Sequence, residues 1–188
     1  MDKRHLPYSI NIGGVDVPID ADYRNVLDIF SIFNSPDLLD EEKMYLVLEY
    51  LYDTDDYLRD PAEALRELEI FINGGVVDTS PKTQEKPLYD WDQDFDIIVS
   101  AVNHVLGYDC RAKEFLHWWT FLSAFMEIGE CTFSTYVAIR DKKNKGKKLD
   151  KWEQQIYRDN RDRIVLKKKI DKTTQAIMDE LWHINDGM

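Results

Sequence analysis

The sequence predicts a mainly α-helical protein: a bundle of about six or seven helices, a small N-terminal β-hairpin and a long C-terminal helix. Three observations predict it. Period-two patterning around a Gly-Gly pair marks a hairpin near the N-terminus. Apolar residues recur at helical spacing through the rest of the chain. Capping residues such as Asp60-Pro61 and Asn73-Gly74 bracket those periodic stretches. A length of 188 residues favours a single domain over residues 1–188. Its expected parts are a hairpin over 5–20, a first helical half over 21–74 and a loop over 75–88. A second helical half with a central buried helix follows over 89–140, then a long basic helix over 150–182.

The hairpin is read from YSINIGGVDVPI. Tyr8, Ile10 and Ile12 alternate with polar residues before Gly13-Gly14, and Val15, Val17 and Ile19 alternate after it. Pro18 has no N–H to give a ladder, so its strand belongs at an edge. So small a hairpin needs helices against its apolar face.

Asp20 or Asp22 then caps a helix to about Asn34, with Val26, Leu27, Ile29, Phe30 and Phe33 inward. DEEKMYLVLEYLY puts acids in a first turn, where the helix dipole favours them, and faces Tyr45, Leu48, Leu51 and Tyr52 inward. A third helix runs from Asp60-Pro61 to Asn73-Gly74 on a stripe of Ala64, Leu65, Leu68, Phe71 and Ile72. The stretch 75–88, with two prolines and no period, is a surface connection.

Asp90 or Asp92 caps the next helix, which ends near Gly107 and faces Phe95, Ile98, Val99, Val102, Val105 and Leu106 inward. Ten of the 14 residues from Phe115 to Ile128 are apolar, so a helix over about 112–128 is the central one. Thr132 caps a helix carrying Phe133, Tyr136, Val137 and Ile139, and DKKNKGKK breaks it. The helix over 150–182 would use Trp152, Ile156, Leu166, Ile170, Ile177 and Leu181.

Composition narrows the function classes. The net charge is −12, with 24 Lys+Arg against 36 Asp+Glu, which argues against a nucleic-acid binder. The charge is uneven: residues 1–139 carry 10 basic and 27 acidic side chains, residues 140–188 carry 14 and 9. An acidic body thus precedes a basic tail, and such asymmetry points to partners. Two cysteines, Cys110 and Cys131, make no disulfide framework and fit a reducing compartment. MDKRHLPYS has no apolar core of a secretory signal, and no apolar run reaches about 18 residues, so no membrane contact is expected. The expectation is a soluble cytoplasmic protein.

The motif search returns no catalytic, metal or cofactor-binding residue. Asp90, Asp92, Asp94 and Asp96 alternate, but a calcium loop from Asp92 would put Ile97 where glycine is needed and Asn103 where a carboxylate is. These acids suit a helix N-terminus instead. His104, Cys110, His117 and Cys131 have no ligand spacing, and His117 reads as packed, with its polar tip at the surface. Neither Gly13-Gly14 nor Gly74-Gly75 is a phosphate loop. Trp118, Trp119, Phe121 and Phe125 sit at core spacing. No enzymatic activity is expected.

The order of certain blocks is more telling. Tyr89-Asp90-Trp91, then Asp94, Ile98 and Ala101, then Leu116-His117-Trp118-Trp119-x-Phe121, then Gly129, Phe133 and Arg140 resembles the phage gp-fifteen family. The hairpin, Tyr23-Arg24-x-Val26-Leu27 and Asp40-Glu41-Glu42-Lys43 resemble the same family's opening, and the similarity runs from about Leu6 to about Lys169. That family is encoded in the tail-morphogenesis module of long-tailed phages and prophages of Gram-positive bacteria. The resemblance implies a tail assembly chaperone in the host bacterial cytoplasm. Its partners would be phage tail proteins: the tape-measure protein, the tail tube or another tail chaperone. A minor tail component retained in the virion is the alternative. The residues expected to meet a partner are Lys142, Lys143, Lys145, Lys147 and Lys148, toward an acidic protein or the acidic body of another copy in a homo-oligomer.

Overall fold

Alternation becomes a hairpin where expected. Strands β1 (Ser9–Ile12) and β2 (Val15–Pro18) pair antiparallel, with Ile10 opposite Val17 and Ile12 opposite Val15. These data come from a computed structural model that describes residues 4–77 and 86–167. Gly13 and Gly14 both have positive φ, 57° and 84°, as a two-residue hairpin turn requires. Ile19 donates its N–H to the Tyr8 carbonyl at 3.1 Å, so the ladder bonds fall at alternate residues and skip Pro18. The Pro18 carbonyl faces outward and accepts from the Asp53 N–H at 3.1 Å.

Eight helices follow among the described residues. Helix α1 (Tyr23–Phe33) is capped by Asp22, whose carboxylate accepts from the Arg24 N–H. Helix α2 (Asp40–Leu51) buries Val47, Leu48 and Leu51. Tyr45 was expected inward but is 56% exposed, because it lies in the first turns, before the helix reaches the core. Helix α3 (Pro61–Ile72) starts with the Asp60 carboxylate bonded to the Glu63 N–H and Pro61 in the first turn. It buries Ala64, Leu68 and Phe71.

Helix α4 (Phe95–Leu106) begins later than the aspartates suggest. Asp90 accepts from the Asp92 and Gln93 N–H groups in a preceding turn, and Asp94 stands at the N-cap with its carboxylate turned elsewhere. Gly107, at φ 76°, ends the helix. Helix α5 (Trp118–Met126) is shorter than the expected 112–128. Leu116 and Trp118 are instead tied to the chain before α1: Tyr23 N–H to Leu116 O at 2.9 Å and Trp118 N–H to Ala21 O at 2.7 Å. That bridge holds the backbone extended at His117, so the helix starts after it.

Helix α6 (Thr132–Asn144) is preceded by Cys131, not Thr132, at the N-cap, and runs into the basic stretch expected to break it. Gly146, at φ 65°, follows its end. Helices α7 (Lys151–Asp159) and α8 (Arg161–Ile164) replace the first half of the expected 150–182 helix. The break is at Asn160, and Val165 is extended. Trp152, expected on the apolar stripe, is 63% exposed, while Ile164 is the buried anchor. Residues 168–182 of that expected helix lie outside the described residues.

The main core joins the hairpin, α1 to α5 and Phe133 of α6. Its centre is aromatic. Phe121 of α5 stacks on Tyr23 at 4.6 Å between ring centroids, and Trp91 packs on Phe30, Trp118 and Phe125. A second cluster, Tyr136, Ile139 and Ile164, holds the C-terminal segment, with Ile97, Leu149, Ile156 and Tyr157 around it. No helix among the described residues is long and apolar enough to cross a membrane.

Candidate functional site

The blocks that carry the resemblance occupy two junctions. The first is built by Leu116 to Phe121. His117 is buried, contrary to the expected surface tip, and caps α5: its Nδ1 accepts from the Trp119 N–H at 3.0 Å. Its Nε2 lies 2.9 Å from the Pro7 carbonyl. One ring nitrogen must accept and the other donate, so the imidazole is neutral with its hydrogen on Nε2. Burial pushes its pKa below the ordinary 6.5, and the Pro7 carbonyl opposes this only in part.

The two indoles that follow close the end of α3. Trp118 Nε1 donates to Ile72 O and Trp119 Nε1 to Phe71 O, each at 2.9 Å. Carbonyls in the last turn of a helix have no intrahelical partner, so this is where such donors are needed. Asp22 serves both sides of the junction: it caps α1, pairs with Arg24 at 3.0 Å and accepts from the Leu116 N–H at 3.0 Å. Cys110 is buried, and the Tyr23 hydroxyl pKa is pushed up to about 12, first by burial and then by neighbouring Cys110.

The second junction is a buried ion pair. Asp94 and Arg140 are 2% and 5% exposed at their side chains. Arg140 Nη1 and Nη2 reach the two Asp94 oxygens at 2.6 and 2.9 Å. The remaining N–H groups go to carbonyls: Nε to Ile164 at 2.6 Å, Nη1 to Leu88 at 3.0 Å and Nη2 to Arg163 at 2.9 Å. All five guanidinium donors are therefore used, as a buried arginine requires. Asp94 also accepts from the Asp90 N–H at 3.1 Å, which links it to the Tyr89-Asp90-Trp91 block. Gln93 adds a second clamp: Nε2 donates to the Arg163 and Val165 carbonyls, and Oε1 accepts from the Lys167 N–H. Asp94 and Arg140 stand 46 positions apart in the sequence, and nothing in its spacing pairs them or marks Gln93 as their companion.

The clamped segment forms one wall of an open groove of about 530 Å³. Pro87, Tyr157, Ile164, Val165 and Leu166 supply its apolar surface, and Lys86, Lys143 and Lys167 stand around it. The five candidate lysines divide here. Lys142 is bonded to Glu153 at 2.5 Å, which raises its pKa. Lys145 pairs with Asp141 at 2.6 Å. Lys143 lies 4.1 Å over the Tyr157 ring, on the groove, while Lys147 and Lys148 are exposed. The structure thus brings one of the five to an apolar surface.

Elsewhere, His104 and Cys131 line one cleft of about 500 Å³ between α4 and the start of α6. Among the described residues no group of three or more His, Cys, Asp or Glu side chains is placed to hold a metal ion. The geometry is that of a clamped segment beside an open groove: the buried polar groups are engaged with one another, and lysines stand at the groove's rim. The family model described as Bacteriophage Gp15 protein matches residues 3–166. Neither the curated proteins nor the solved structures contain a match to the chain.

Proposed function

The chain belongs to the Bacteriophage Gp15 protein family, and from that membership we propose that it is a non-enzymatic phage tail assembly factor. In this reading it acts as a chaperone on the tape-measure or tail-tube proteins in the host cytoplasm. The observation that carries the reading is the family match over residues 3–166, joined to the tail-module setting that the resemblance implies. The structure supports a binding role in one respect. The polar residues of the shared blocks are spent on the fold: His117 as a cap, Trp118 and Trp119 as donors, Asp94 and Arg140 as a pair. What faces outward is apolar surface with charge around it.

Co-expression with the tape-measure and tube proteins of the same phage, followed by pull-down, tests this directly. A stable complex with either is expected, as is loss of normal tails when the gene is deleted. Failure of both would overturn the proposal. Mass spectrometry of purified virions separates the alternative: an assembly factor is absent from them, and a minor tail component is present.

A further inference from the structure

We infer that the groove beside the Asp94–Arg140 pair docks an acidic amphipathic helix of a partner protein, an inference that deepens the assembly reading and rests on it. Arg140 borders the groove, but all five of its donors are occupied, so it offers no free charge to a small anion. The floor is apolar, and Val165 is 44% exposed on it. Contiguous apolar surface rimmed by charge is the kind that a partner covers.

The rim supplies the sign. Lys86, Lys143 and Lys167 are exposed around the floor, and no carboxylate is among the described lining residues. The body behind it is acidic, so this is a local reversal of the chain's charge. Complementarity therefore calls for acidic residues flanking apolar ones.

The backbone decides between a helix and a strand. Strand addition needs unpaired N–H and C=O groups along an edge. Here the carbonyls of Arg163, Ile164 and Val165 are taken by Arg140 and Gln93. The N–H groups of Arg163, Ile164 and Val165 bond within the turn, and that of Lys167 bonds Gln93. Docking must then be through side chains, as when an amphipathic helix lays its apolar face into a groove.

The test uses the full chain and a labelled synthetic helix with leucines at i, i+3, i+4 and i+7 and glutamates elsewhere. Its binding is read by fluorescence anisotropy, beside a scrambled peptide of the same composition and one with lysines for glutamates. Binding at least about tenfold tighter than either control is expected, weakening as salt rises. The triple change Lys86→Glu, Lys143→Glu, Lys167→Glu, and separately Val165→Asp, should each weaken it about tenfold or more, with melting curves confirming that the variants fold. Lys147→Glu with Lys148→Glu, away from the groove, should leave it unchanged. No preference for the amphipathic acidic peptide, or equal losses from the 147/148 pair, would overturn the inference. So would binding of phosphatidylglycerol vesicles in place of the peptide, or self-association abolished by the rim reversal, which would give the groove to a second copy. Normal tails from a phage carrying the triple change would remove the groove's role and keep the assembly role. Peptide binding in a protein whose deletion leaves tails normal would do the reverse.

Discussion

The aromatic centre and the C-terminal segment are held by opposite means. Around α5, Tyr23, Trp91, Trp118 and Phe121 exclude water by bulk, and the indole N–H groups then satisfy the end of α3. The segment from Lys151 to Lys167 has only Ile164 and Glu153 buried, and beside the small cluster around Ile164 it depends on polar ties: the Arg140 guanidinium and the Gln93 amide to its carbonyls, and Lys142 to Glu153. The first is stabilised by area removed from water, which is diffuse and tolerant. The second hangs on a charge that is costly to bury alone. Local opening should therefore begin in the C-terminal segment, because foldons with few apolar contacts open first.

The largest effect expected is in the aromatic centre. Phe121→Ala should cost about 3–5 kcal/mol in urea unfolding, since a stacked, fully buried ring leaves a cavity. A loss below about 1 kcal/mol would break the claim that this cluster is the stability centre. Asp94→Asn comes next. It keeps the shape and leaves Arg140 buried without its counter-charge, for about 3 kcal/mol. Replacing both residues by apolar ones should cost less than Asp94→Asn alone, which a double-mutant cycle measures.

A change of pH separates the two regions further. The folded state favours neutral His117, whose pKa lies below 6.5. Its contribution is therefore complete above about 6.5 and is lost as pH falls toward the lowered value. Protonation would place a hydrogen on Nδ1, where the Trp119 N–H now points. Urea midpoints taken across pH 7 to 5 should fall for the native chain. His117→Asn, which can still cap, should fall less over the same range. Equal slopes would remove His117 as the cause. The smallest effect is outside both regions: Lys147→Ser and Lys148→Ser should change stability by less than about 0.5 kcal/mol.

Local chemistry was legible in the sequence and long-range pairing was not. The hairpin, its glycine turn and the Asp60-Pro61 start of α3 each depend on neighbours within a few residues, and they form as read. Apolar spacing likewise placed Trp118 and Phe121 in the core. The start of α5 was misread because Leu116 and Trp118 pair with residues near Ala21, about a hundred positions away, and histidine is an uncommon cap. The first half of the expected 150–182 helix breaks at Asn160 for a related reason. Its period gave no weight to Ile164, whose place is fixed by Arg140 and the Tyr136 cluster. Of the groove, the sequence showed the basic stretch around Lys143. It did not show that Lys142 and Lys145 are neutralised by Glu153 and Asp141, or that Lys86 and Lys167 join Lys143.

Hydrogen exchange read by mass spectrometry, comparing the native chain with Asp94→Asn, tests the central claim most directly. That claim is that the Asp94–Arg140 pair is the chief tie on the C-terminal segment, with Gln93 and the Ile164 cluster beside it, and so builds the groove wall. Protection across residues 160–167 is expected to be lost in the variant while that of α5 persists. Loss of both together, or of neither, would contradict it.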